Sequence, residues 1–91
     1  MVRIGIIGDF SAKHFTHVAI NSAIEHTAAV LSEDVRAQWL PTPELVKPTG
    51  DSLLAEFDAL WAAPVSPYDS ADGMLRGIEY ARSRNVPFTG T

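Results

Sequence analysis

Short, nearly continuous apolar runs alternate with stretches of helical period along this chain. Val2–Gly8 is a β-branched apolar run that stops at the turn signal Gly8-Asp9, the pattern of a strand buried on both faces. From about Phe15 to Ser32 the period changes. Ile20, Ala23, Ile24, Thr27 and Leu31 fall three or four residues apart, with Asn21 and Glu25 between them, which predicts an amphipathic helix. Val35–Leu40 predicts a second strand. Pro41, Pro43, Pro48 and Gly50 then read as a loop, because proline cannot donate to a hydrogen-bond ladder. Asp51 or Ser52 is placed to cap a short helix carrying Leu53, Leu54 and Phe57. Ala59–Ala63 predicts a third strand. Ser70 is positioned to cap a helix running through Arg84, with Met74, Ile78 and Ala81 inward and Arg76 and Glu79 outward. Val86–Thr89 predicts a fourth strand. No internal repeat or linker interrupts the series.

Strand–helix alternation of this kind implies an α/β fold, a three-layer parallel sheet covered by helices. Four strands make a flavodoxin-like half-domain, and the two most apolar runs, Val2–Gly8 and Ala59–Ala63, should be neighbours in its middle. In such sheets ligands sit beyond the carboxyl ends of the strands. Those ends are Gly8–Phe10, Leu40–Pro41, Pro64–Tyr68 and Gly90–Thr91.

Composition narrows the function. The 91 residues are 46% hydrophobic and 20% charged, a globular balance in a chain short enough for one small domain. Seven basic residues against eleven acidic ones give a net charge of −4, which argues against nucleic acid as a partner, since phosphate binding needs a clustered basic surface. No apolar run reaches the roughly 20 residues of a membrane span, and the apolar start ends without a small-residue cleavage site. There is no cysteine, hence no disulfide framework and no thiolate within these residues; a reducing cytoplasm is the expected location.

Individual side chains offer less. His14 and His17, three apart and near Asp9, have no third firm ligand, so no metal is expected and both histidines are read as exposed polar groups, with His14 and Asp9 placed to meet a ligand. His26 reads as a partly exposed helix residue. Gly5 and Gly8 lack the third glycine of a dinucleotide fingerprint, and no cofactor is expected. Trp39 and Trp61 read as sheet-face packing, and Lys13 as a solvated charge.

The strongest signal is an arrangement of motifs. Phe57-Asp58-Ala59-Leu60-Trp61, Asp72-Gly73-Met74, Tyr80-Ala81-Arg82 and Asn85-Val86-Pro87-Phe88-Thr89-Gly90-Thr91 together resemble class I glutamine amidotransferase-like domains of the CTP synthase type. From Asp58 to Thr91 the two register without a gap. Arg3–Phe10 resembles, more loosely, the family's first strand and its Gly-Lys-Tyr turn, and Ser22–His26 its first helix. The resemblance implies that residues 1–91 are the amino-terminal half of such a domain. It also implies that the catalytic cysteine occupies the position following Thr91, at a sharp strand-to-helix turn that aims backbone N–H groups at a developing oxyanion. The family's histidine and glutamate partners come from later sequence. The 91 residues alone are therefore expected to be inactive, as a fragment, a processed product or a chain interrupted at a modified residue. Their expected partners are the complementary carboxy-terminal half or another copy, and a small amide substrate such as glutamine.

The chain departs from the family at the oxyanion loop. The family's Pro-Gly-Gly registers with Ala63-Pro64-Val65. Pro64 has no N–H, while the Val65 backbone N–H remains available as the oxyanion donor. Ser66 stands where the family has an aromatic residue. The resemblance places the oxyanion loop at Val65; joined to the rule that ligands sit at strand carboxyl ends, it predicts a substrate site formed by Pro64, Val65, Ser66, Tyr68, Asp9 and His14, with a substrate other than glutamine left open. Two further readings stay open. Ser11-Ala12-Lys13-His14, Pro67-Tyr68 with Asp72-Gly73, and Val86–Gly90 also resemble the amino-terminal domain of D-alanine–D-alanine ligase-like ATP-grasp enzymes. A non-catalytic flavodoxin-like binding module is the other.

Overall fold

The computed structural model describes residues 1–10, 15–63 and 69–90. In chain order the elements are β1 (Val2–Ile7), α1 (Phe15–Leu31), β2 (Val35–Leu40), α2 (Thr42–Leu45), α3 (Gly50–Leu54), β3 (Ala59–Ala62), α4 (Ala71–Arg84) and β4 (Phe88–Gly90). All strand pairs are parallel, in the order β2-β1-β3-β4. The two apolar runs expected in the middle, β1 and β3, are the interior strands.

Alternation along the strands sorts the core into two layers. Ile7 pairs with Leu40 on one side and Ala62 on the other. These residues face a cluster with Leu45, Leu54, Leu60, Met74 and Ala81, beneath α2, α3 and α4. Ile6 pairs with Trp39 and Trp61 and packs with Ile20 and Ala63 on the α1 face. Parallel partners share a face of the pleat, so one register separates the two layers completely.

Four differences from the sequence reading have physical causes. The segment after β2 is not all loop: Pro43 lies in the first turn of α2, where a missing N–H costs nothing. The next helix is capped by neither Asp51 nor Ser52. It begins at Gly50 after Thr49, with no side-chain cap; a Cβ on Gly50 would overlap the Leu45 carbonyl, so this first turn packs directly on the end of α2, and Phe57 falls beyond its end. β4 begins at Phe88 rather than Val86, and Val86 instead packs against the core cluster beneath α4. Finally, α1 buries less than its period implies. Ile20 is buried and Ile24 half-buried, but Ala23, Thr27 and Leu31 are exposed. Between the second half of α1 and the starts of the strands lies an apolar groove of about 400 Å³, lined by Ile4, Ile24, Ala28, Val35 and Trp61 among others. The indole N–H of Trp61 is buried there without a hydrogen-bond partner among the described residues.

The α4 helix follows the sequence reading closely. Ser70 is the N-cap and its hydroxyl accepts from the Gly73 N–H at 3.0 Å. Met74 and Ala81 are buried and Ile78 half-buried, while Arg76 and Glu79 are exposed. Asn85 ends the helix in the left-handed region, φ 56°, a role asparagine fills with less strain than most residues. No helix among the described residues is long and apolar enough to cross a membrane.

Candidate functional site

The carboxyl ends of β1, β2 and β3 deliver three segments to one edge of the sheet: Gly8–Phe10, the start of α2, and the chain leading to α4. Backbone bonds hold this edge in register, with Gly8 N–H donating to Leu40 O and Ala63 N–H to Ile7 O, each at 3.0 Å.

Asp9 is the centre of the polar structure there. Its Oδ1 accepts the Thr42 backbone N–H at 2.9 Å. Its Oδ2 accepts the Thr42 hydroxyl at 2.8 Å and the Asp69 N–H at 2.9 Å. The Thr42 hydroxyl in turn accepts the Ser70 N–H at 2.8 Å. Thr42 is fully buried, so a buried hydroxyl is satisfied as both donor and acceptor, as burial requires. Gly73 completes the contact, since a Cβ there would overlap the Thr42 carbonyl oxygen. The first turn of α4 thus rests directly on the Thr42 backbone. The helix dipole gives the amino terminus of α4 a partial positive charge at this edge.

Beside this node lies an aromatic cluster. His17, expected to be exposed, is 3% exposed. Its ring stacks 6.1 Å from Phe10 and lies 4.7 Å from Trp39, and Phe10 meets Trp39 edge-on at 5.1 Å. The Trp39 indole N–H donates to Asn21 Oδ1 at 2.8 Å. The histidine is buried because α1 begins directly above the ends of β1 and β2, and those strands bring Phe10 and Trp39 to either side of it. His26 is exposed.

Of the residues expected to form the site, Asp9 is the described one. His14, Pro64, Val65, Ser66 and Tyr68 lie outside the described residues, as do Lys13 and Thr91. Sequence reasoning missed Thr42. The available signal was Leu40-Pro41-Thr42-Pro43, a strand end followed by proline in the first helical turn. No group of three or more His, Cys, Asp or Glu side chains among the described residues is placed to hold a metal ion.

No family model matches the chain. Over 89 residues, 98% of its length, it is 24% identical to the CTP synthase of Staphylococcus carnosus. Over the same length it is 22% identical to the CTP synthase of Staphylococcus saprophyticus. The chain spans 16–17% of the length of these relatives. The glutaminase domain of Trypanosoma brucei CTP synthase with bound acivicin has the same fold. It superposes with a TM-score of 0.84 at 21% identity, covering 99% of this chain and 36% of that one. Along its whole length in sequence, and in its flavodoxin-like parallel sheet, the chain is similar to the class I glutamine amidotransferase-like domain of CTP synthases.

Proposed function

We propose that residues 1–91 are the amino-terminal half of an amide-hydrolysing domain whose cysteine nucleophile occupies the position following Thr91. The observation that carries this reading is the full-length similarity to CTP synthases joined to the shared fold. In this reading the thiolate attacks the carbon of a side-chain carboxamide. A histidine from the complementary half takes the thiol proton and returns it to the leaving nitrogen, ammonia departs, and water hydrolyses the acyl-enzyme. The Val65 backbone N–H donates to the oxyanion, helped by the dipole of α4. Pro64, Val65, Ser66, Tyr68 and His14 border the substrate, with Asp9 at the rim. Glutamine is the first substrate to test. Val65 and Ser66, replacing the family's glycine and aromatic residue, favour a carboxamide of different shape as the second. The complementary half is the expected partner, and a cytoplasmic location suits the thiol chemistry.

The test uses the complete domain, including the residues after Thr91. Ammonia release is measured from glutamine, asparagine and a panel of simple carboxamides, with and without acivicin. Release that acivicin blocks is the expected result. A folded domain with cysteine after Thr91 that releases no ammonia from any of them overturns the reading.

A further inference from the structure

We infer that Asp9 and Thr42 act together as a clasp that sets the amino terminus of α4 against the carboxyl end of β1, and that both are positioning residues of the site. The inference rests on the amide-hydrolysing reading for its chemistry but on geometry for its existence. An aspartate just past a strand exit has no structural need to be desolvated, yet Asp9 is half-buried. Its two oxygens take three donors, from Thr42 and Asp69, 33 and 60 residues away in sequence. That engages three of the roughly four lone-pair sites a carboxylate offers. The consecutive backbone N–H groups of Asp69 and Ser70, which lead into α4, are taken one by Asp9 and the next by the Thr42 hydroxyl. Gly73 lets the helix close onto Thr42 from the other side. Three elements are thereby locked at one point: the end of β1, the start of α2 and the start of α4. A helix terminus that stabilises developing charge is useful only where that charge appears, and misplacement of about 1 Å can cost on the order of 10² in rate.

Asp9→Asn replaces one carboxylate oxygen by an NH₂ that cannot accept. Thr42→Val removes the bridging hydroxyl at nearly constant volume, and Thr42→Ser keeps it. In the complete domain, NMR amide exchange and steady-state ammonia release are measured for each. For Asp9→Asn and Thr42→Val we expect exchange at Asp69 and Ser70 to rise at least about tenfold, with β1 and β3 amides unchanged. We also expect kcat to fall about 10–100-fold at a KM within about twofold. Thr42→Ser should restore both readouts. Wild-type exchange at Asp69 and Ser70 in folded Asp9→Asn overturns the clasp. So does a raised KM at unchanged kcat, which would make Asp9 a substrate contact. If Thr42→Val does not fold, Asp9→Asn and Thr42→Ser carry the comparison. If the wild-type domain releases no ammonia, the amide reading fails while the exchange data still decide the clasp.

Discussion

His17 and Val65 mark the two limits of reading single residues. A histidine in the first turn of a helix reads as polar and exposed, but His17 is enclosed by Phe10 and Trp39. The partners come from the segment after β1 and from β2, brought together by a fold that no local pattern encodes. Val65 is the opposite case, since its expected role lies in a backbone N–H and is legible only through resemblance. Val65→Pro in the complete domain should lower turnover of the true substrate by about 10²–10³ while the fold persists, because one oxyanion donor is lost. Val65→Gly should be tolerated, and glutamine hydrolysis should hold or rise. A folded Val65→Pro domain with full activity would place the donor elsewhere. Gly73 and Gly77 provide a matched pair for stability. A Cβ on Gly73 meets backbone, the Thr42 carbonyl, whereas a Cβ on Gly77 meets the terminal methyl of Ile7. Gly73→Ala should cost about 3 kcal/mol, near the top of the overpacking range, and Gly77→Ala about 1. Thermal or urea unfolding of the two variants gives the order directly.

The legible elements were those whose signals agree with one another. For α4, cap, period and terminus coincide: Ser70 accepts from Gly73, the inward positions recur at three and four residues, and Asn85 turns the chain out. The interior strands were legible because a short, nearly continuous apolar run bounded by turn signals fits a strand buried on both faces. Helix α2 was hidden because its prolines also describe a loop, and what turns Thr42–Leu45 into a helix is packing against α4 rather than local propensity. The span of α1 was legible but its buried face was not, since its second half lies over the apolar groove instead of on the sheet. That helix also ends poorly. Ser32 takes φ 54° while Glu33 N–H bonds back to Ala28 O at 3.0 Å, a left-handed termination in which glycine is normally favoured. Ser32→Gly should therefore stabilise the protein by about 1 kcal/mol. A variant with unchanged or lower stability in urea titration would show that the turn carries no such strain.

At the scale of the molecule, the sheet of the described residues ends on one side at β2 and on the other at β4. An edge strand offers unpaired backbone groups to any strand that can lie beside it. At the start of β4, Phe88 is 38% exposed and borders a concave surface formed with Ile78, Arg82 and Val86. The 91-residue chain by itself is expected to associate through this edge, with the complementary half or with a second copy. Analytical ultracentrifugation of the isolated chain should show dimers or larger species that dissolve when the complementary half is added. A stable monomer across micromolar concentrations counts decisively against this. The fold class and the strand order were both legible in the sequence alone. The clasp was not, because hydrogen bonds spanning 33 and 60 residues leave no periodic trace in a chain.

Both tryptophans of the chain flank Ile6 on the same side of the sheet. The protein therefore carries an optical probe of one face only. Indole emission moves to longer wavelength when the ring meets water, so fluorescence reports whether α1 is seated over β1, β2 and β3 and is silent about α2, α3 and α4. Ile20→Ala, which loosens α1, should shift the emission maximum to the red in the folded state. Met74→Ala, an equally buried truncation on the far side, should lower stability and leave the folded-state spectrum unchanged. An occupant of the groove that accepts a hydrogen bond from the Trp61 indole would alter the same signal, so the groove can be titrated without any label.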